Sequence, residues 1–355
     1  MRPSTTLRPA LRALQQLQRR TYSTPTPTAK PRHLLSIADL TPTEFTSLVR
    51  NASSHKAAIK AGTTPAGLKD TLNGKTIAMM FSKRSTRTRV STEAAITTMG
   101  GHPMFLGSGD IQLGVNESLY DTSVVISSMV SAMVARVGGH HEVAGLAEHS
   151  SVPVINALSN DFHPLQTIAD FLTIHETLGN KSGKGLGVEG LKVAWVGDAN
   201  NVLFDLAIAC QKLGVEIAVA TPEGYSIPAR MRDLIHASAI TPTSRSLLTE
   251  TTVPEEAIKN ADILVTDTWI SMGQEEESAR RLKAFAGYQI TEALAKKGGA
   301  KEGWRFMHCL PRHAEEVDDE VFYGGRSLVF PEAENRLWAA IAAVEGFVVR
   351  KGVLV

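Results

Sequence analysis

From residue 76 onward the chain alternates short, unbroken apolar runs with longer segments of helical spacing, and few architectures accommodate that alternation. TIAMMF (76–81), AMVARV (132–137) and VPVINA (152–157) form one set of runs. LKVAWVG (191–197), EIAVAT (216–221), DILVTD (262–267) and FMHCLP (306–311) form a second. Continuous runs rich in Val, Ile and Ala suit strands covered on both faces, as in parallel sheets. The segments between them, such as STEAAITTMG and VLFDLAIACQKLG, carry helical spacing and stop at glycine, a common residue just past a helix end. The pattern predicts an α/β fold of two domains, each a parallel sheet flanked by helices and joined by interdomain helices.

At 355 residues the chain is long enough for two separate cores. The stretch NKSGKGLGVEG (180–190), rich in glycine and charge, marks the boundary, and PLQTIADFLTIHETLG just before it reads as a bridging helix. The expected domains are therefore 34–179 and 180–331. A final helix, 332–355, is expected to return to the first, with Pro331 at its opening turn.

The first 38 residues differ in kind. They hold Arg2, Arg8, Arg12, Arg19, Arg20, Lys30 and Arg32 and no acid, and Leu7, Leu11, Leu14 and Leu17 fall on one helical stripe. An arginine-rich, hydroxyl-rich, acid-free amphipathic segment is the pattern of an organelle import presequence, so residues 1–33 are expected to be a presequence and flexible leader. The net charge of +1 gives no global field to recruit nucleic acid or an anionic membrane, and no apolar run reaches the roughly 18 residues of a spanning helix. Neither partner is expected. Two cysteines, Cys210 and Cys309, cannot build a disulfide framework; Cys210 lies in an apolar helical pattern and reads as core.

FSKRSTRTRVSTEAA (81–95) concentrates Lys83, Arg84, Arg87 and Arg89 between a strand-like run and a helix. Ser85, Thr86 and Thr88 are good capping residues, and a helix start with free N–H groups favours an anion. Arginine adds forked donors that match phosphate oxygens. A solvated basic face and a nucleic-acid patch are the competing readings of this stretch alone. The glycine-lysine spacing of a nucleotide P-loop is absent, which favours a smaller phosphate compound. WVGDANN (195–201) resembles a dinucleotide turn but lacks its close-approach glycines, so an oxidoreductase reading is disfavoured.

STRTR (85–89), ARVGGH (135–140), HPLQ (163–166), DTWISMG (267–273), HCLPR (308–312) and FPEAENR (330–336) follow one another in this order. Together they resemble the signature segments of the aspartate/ornithine carbamoyltransferase family, over roughly residues 34–352. The SMG element and HCLP, where aspartate-specific members typically carry HPLP, resemble the ornithine-specific mitochondrial form. The resemblance implies transfer of a carbamoyl group from carbamoyl phosphate to L-ornithine, giving L-citrulline and phosphate, in arginine biosynthesis. It further implies direct attack of the δ-amine, no metal or organic cofactor, a homotrimer, and the mitochondrial matrix after presequence cleavage.

By the same resemblance, Ser85, Thr86, Arg87 and Thr88 cradle the phosphate, and Gln112 matches a position that reaches a neighbouring subunit's site. Arg136 binds carbamoyl and phosphate oxygens, His163 the carbamoyl oxygen and Gln166 its nitrogen, with Cys309 and Leu310 alongside and Arg336 closing over the group. Asn201, Asp267, Ser271 and Met272 match the ornithine contacts, with Asn200 adjacent in sequence to the first of them. The catalytic set implied is Cys309, Arg136, His163 and Asp267. Cys309 alone also admits a nucleophilic reading. The resemblance places it instead near the attacking amine, as an orienting group or proton acceptor.

Overall fold

The computed structural model describes residues 30–111, 117–180, 185–240, 247–270 and 275–354, and each apolar run singled out above contains a strand. β1 (Thr76–Phe81), β2 (His102–Gly107), β3 (Ala132–Arg136) and β4 (Val154–Leu158) form one parallel sheet in the order β2-β1-β3-β4. β5 (Lys192–Val196), β6 (Glu216–Ala220), β7 (Leu248–Thr251), β8 (Ile263–Thr266) and β9 (Arg305–His308) form a second, also parallel, in the order β7-β6-β5-β8-β9. The α/β expectation holds.

Two strands, β2 and β7, escaped the sequence reading. Both lie at sheet edges, where one flank meets no neighbouring strand. β2 (HPMFLG) is exposed or half-buried throughout and carries Pro103, while β7 (LTET) buries Leu248 alone. An edge strand tolerates proline and polar residues and has no need of a continuous apolar run.

Around the first sheet run α1 (Pro42–Lys60), α2 (Thr86–Thr98), α3 (Leu119–Met129), α4 (His140–His149) and α5 (Pro164–Leu178). Around the second run α6 (Asn201–Leu213), α7 (Ala229–Ala237), α8 (Pro254–Ile258), α9 (Ser278–Ala284), α10 (Glu292–Gly298) and α11 (Asp319–Tyr323). The last long helix, α12 (Val329–Val344), packs on α1, α2 and α5. It does so through buried Ala339, Ile341, Ala343 and Val344, small and branched side chains that let helices approach closely. Buried Asp205 on α6 ties the second sheet's layer to the first. It accepts from Ser36 Oγ at 2.8 Å, Ile37 N at 2.9 Å and His163 N at 2.8 Å.

Strand order also fixes where a site can lie. In an open parallel sheet the crevice opens beyond the carboxyl ends of the strands, where the order of connection reverses. That point falls between β1 and β3 in the first sheet and between β5 and β8 in the second. STRTR follows β1, Arg136 ends β3 and HPLQ follows β4; GDANN follows β5, Asp267 follows β8 and HCLPR follows β9.

Candidate active site

Ser85 caps α2, its hydroxyl accepting from Thr88 N at 3.3 Å, so the free N–H end of the helix faces the crevice beyond β1. Arg87, in the first turn, reaches across and donates to the carbonyl of Leu310 at 2.6 Å. Thr86 is exposed and Thr88 buried. Two of the other basic side chains in the stretch have other partners. Arg89 pairs with Glu93 at 2.9 Å and lies over the Phe105 ring, and Lys83 donates to Asn160 at 3.1 Å.

Arg136, His163, Gln166 and Arg336 converge behind this helix end, all of them buried. Arg336 arrives on α12 and donates to Gln166 Oε1 at 2.6 Å, to Thr88 Oγ1 at 3.3 Å and towards His163 Nε2 at 3.4 Å. A guanidinium only donates, so Nε2 of His163 accepts and its proton sits on Nδ1. Burial, then the charges of Arg336, Arg136 and Arg87, hold the imidazole well below its usual range and therefore neutral. Burial likewise pushes Arg136 and Arg336 down to about 10, with neighbouring arginines adding to it.

Among the described residues, Arg136 Nε, His163 Nδ1 and Arg336 Nε have no hydrogen-bond partner. A buried donor without an acceptor costs roughly 1–3 kcal/mol, a cost that an oxyanion bound here would offset. Three mutually repelling cations beside three unsatisfied donors make a cluster suited to a small oxyanion.

The opposite wall is acidic. Asp267, just past β8, accepts from the Cys309 thiol at 3.0 Å and from Asn200 Nδ2 at 2.7 Å. Burial and then Asp267 push the Cys309 thiol well up, so it remains protonated and a poor nucleophile. Asn200 also caps α6, accepting from Val202 N at 3.0 Å and Leu203 N at 3.3 Å. Asn201 instead donates to the carbonyl of Ser159 at 2.6 Å, linking the two sheet layers. Asp267, His308 and Cys309 bring metal-ligating atoms within 4.8 Å of one another. His308 Nδ1 is already engaged by Leu310 N at 2.9 Å, and the thiol by Asp267. Gln112, Ser271 and Met272 lie outside the described residues.

Several residues of this network were not singled out in the sequence. Asp170 and Glu332 both hold Gln166, at 2.8 and 2.9 Å, and buried Arg281 donates to the carbonyl of Trp269 at 2.6 Å while pairing with Asp198. Burial pushes Asp198 up to about 6, against the pull of Arg281. The available signal was spacing. Asp170 stands one helical turn after Gln166, and Glu332 one turn before Arg336, so each shares a helix face with a residue already picked out.

Residues 32–176 match the model of the aspartate/ornithine carbamoyltransferase carbamoyl-P binding domain, and residues 189–345 match that of the Asp/Orn binding domain. The chain belongs to the aspartate/ornithine carbamoyltransferase family. Among members of this family, it is 71% identical over 324 residues to a protein of Aspergillus terreus named ornithine carbamoyltransferase, mitochondrial, covering 91% of this chain and 90% of that one. It is 68% identical to the Aspergillus niger protein of the same name, covering 97% and 94%. The crystal structure of a mitochondrial ornithine carbamoyltransferase from Coccidioides immitis is similar with a TM-score of 0.86 at 67% identity, covering 92% of this chain and all of that one. The carbamoyltransferase of Pyrococcus furiosus, at 41% identity, gives 0.82 over 90% of this chain and 97% of its own.

Proposed function

We propose that this protein catalyses carbamoyl phosphate + L-ornithine → L-citrulline + phosphate, as an ornithine carbamoyltransferase of arginine biosynthesis. The observation that carries the reading is the set of buried donors on Arg136, His163 and Arg336 that lack acceptors, gathered around a helix end lined by Ser85, Thr86, Arg87 and Thr88. Relatives at 68–71% identity named for the ornithine reaction support the choice of amine.

In this reading Ser85, Thr86, Arg87 and Thr88, with Gln112, hold the phosphate. Arg136 and His163 donate to the carbamoyl oxygen, where negative charge grows as the amine attacks. Gln166 and the Leu310 carbonyl take the carbamoyl nitrogen, and Arg336 closes the site. Asn201, Ser271 and Met272 bind the α-amino acid end of ornithine. Asp267 and Cys309 orient the δ-amine, whose free pKa is about 10.4 and which must lose a proton before it attacks. The departing phosphate is the final proton acceptor, so the thiol forms no covalent intermediate.

The carbamoyl phosphate domain is then 34–179 with the C-terminal segment 332–355, in which helical structure ends at Val349 rather than running the full length expected, and the ornithine domain is 180–331. Residues 1–33 are a presequence, which directs the chain to the mitochondrial matrix and is cleaved, and a leader whose end docks on the fold, Arg32 pairing with Glu44 and His33 accepting from Val154 N at 3.0 Å. Val90 on α2, Met104 on β2, and Tyr120, Val124, Val125 and Met129 on α3 are exposed apolar side chains, and they supply a face for assembly of three copies. The direct test is product identification with purified protein, carbamoyl phosphate, and ornithine or aspartate. Citrulline with ornithine is expected. N-carbamoyl-aspartate formation without citrulline refutes the reading.

A further inference from the structure

Gln166 sits in the first turn of α5, fully buried, with its amide held at both ends. The nitrogen donates to Asp170 Oδ1 at 2.8 Å and Glu332 Oε1 at 2.9 Å, and the oxygen accepts from Arg336 Nη1 at 2.6 Å. A guanidinium only donates, and the acid oxygens facing the amide nitrogen accept, their shared proton lying between the two carboxyls, so both ends specify the same orientation. Turning the amide over sets donor against donor at Arg336 and acceptor against acceptor at the acids.

The two acids come from different helices. Asp170 follows Gln166 on α5, while Glu332 lies on α12, and the two carboxyls hydrogen-bond each other. The second oxygen of Glu332 accepts from His308 N at 2.9 Å, in the residue before Cys309. Both are buried, at 3% and 2% exposure, which is expensive for carboxyl groups. Burial pushes Asp170 up to about 7; burial and then Asp170 push Glu332 well above the carboxylate range. The pair therefore keeps a proton at neutral pH and adds little charge beneath the cationic wall. No step of carbamoyl transfer as described above uses it.

We propose that Asp170 and Glu332 are positioning residues that commit the nitrogen of Gln166 inward, so that its oxygen faces the carbamoyl site and selects a carbamoyl over an acyl phosphate. A carbonyl oxygen has two acceptor positions, and Arg336 takes one. The second receives an N–H from a carbamoyl NH2, which the methyl group of acetyl phosphate, close to it in size, does not have. The reversed amide would turn its own NH2 towards the carbamoyl NH2. The inference rests on the carbamoyl phosphate reading given above.

Two stable analogues isolate the contact. Phosphonoacetamide and acetonylphosphonate share the phosphonate and the carbonyl and differ in NH2 against CH3. Calorimetric titration of the wild-type protein should favour the amide by roughly tenfold or more, the weight of one buried hydrogen bond. Glu332→Gln offers one oxygen where Gln166 and His308 each require one. Phosphonoacetamide binding should weaken about tenfold while acetonylphosphonate stays within about twofold. Asp170→Leu, away from His308 and without an acceptor for Gln166, should show the same selective loss, which keeps the test open if one variant does not fold. Gln166→Leu should remove most of the preference, leaving only what the Leu310 carbonyl contributes, and adding Glu332→Gln to it should change the preference no further.

An unchanged preference in the acid variants overturns the proposal, whether both analogues weaken together or neither does. Wild-type protein that binds both analogues equally overturns it too, with the carbamoyl phosphate reading intact. Wild-type protein that binds neither removes that reading and the inference with it.

Discussion

Replacing Arg136 with methionine should separate ligand binding from stability, because the structure gives the two effects opposite signs. Arg136 is 8% exposed, and burial together with Arg87 pushes it down to about 10. A displacement of that size means that keeping Arg136 charged where it is buried costs about 3 kcal/mol relative to water. Its folded value lies below its unfolded value, so the cost is fully present below about pH 10 and disappears only as the group deprotonates above it. Methionine fills similar volume without charge and should raise ligand-free stability by about 1–3 kcal/mol. Binding moves the other way. Two charge-assisted hydrogen bonds to an oxyanion contribute about 1.5–3 kcal/mol each, so kcat/KM for carbamoyl phosphate should fall by about a hundred-fold to about ten-thousand-fold, as ~1.4 kcal/mol is tenfold. Thermal melts with and without phosphonoacetamide read both quantities. Wild type should gain about 2.7 kcal/mol at a hundred times Kd, and Arg136→Met should melt higher alone and gain almost nothing from the ligand. A variant destabilised when ligand-free that still responds fully to phosphonoacetamide would refute the account of the cationic wall.

Cys309→Ser should retain measurable turnover, about 10- to 100-fold reduced, because the thiol is held protonated and hydrogen-bonded to Asp267; a carbamoyl-cysteine adduct in intact-mass spectra of quenched reactions would contradict this. Asn200→Ala removes the α6 cap and one partner of Asp267, so it should cost about 1 kcal/mol of stability and raise the ornithine KM roughly tenfold, with carbamoyl phosphate KM near wild type; urea midpoints and steady-state kinetics check the two parts. Between about pH 4 and pH 7 the native protein holds protons on the Asp170–Glu332 pair that the unfolded chain has released. This contribution to stability is full below the unfolded carboxyl range and is lost as pH rises towards 7. Asp170→Asn should flatten the fall in unfolding free energy, read from urea melts over that window, by up to ~1.4 kcal/mol per pH unit, and an unaltered slope would count against a shared proton.

The central strands were legible because burial on both faces forces an unbroken apolar run, as in TIAMMF and LKVAWVG. HPMFLG and LTET were not, because an edge strand draws its identity from pairing with β1 or β6 rather than from its own composition. Arg87 stood out in a basic run at a helix start and Arg136 at the end of a strand-like run, where a charge has no packing reason to be, whereas His163 and Asp267 were picked out by the family resemblance. Asp170, Glu332 and Asp205 were hidden inside helices, where an acid normally reads as solvent-facing. Only tertiary contact shows them buried against Gln166, His308 and His163. Adjacent asparagines posed a related problem. The side chains of Asn200 and Asn201 diverge to Asp267 and Ser159, which sequence spacing cannot distinguish.

A bisubstrate ligand engages both walls of the crevice at once. Calorimetric titration of the protein with N-(phosphonoacetyl)-L-ornithine, against N-(phosphonoacetyl)-L-aspartate, tests the central claim most directly. The account predicts tight binding of the ornithine compound at one site per chain, lost in Arg136→Met, and binding of the aspartate compound weaker by at least about a hundredfold. Equal affinity for the two compounds, or ornithine-compound binding that survives Arg136→Met undiminished, would contradict it.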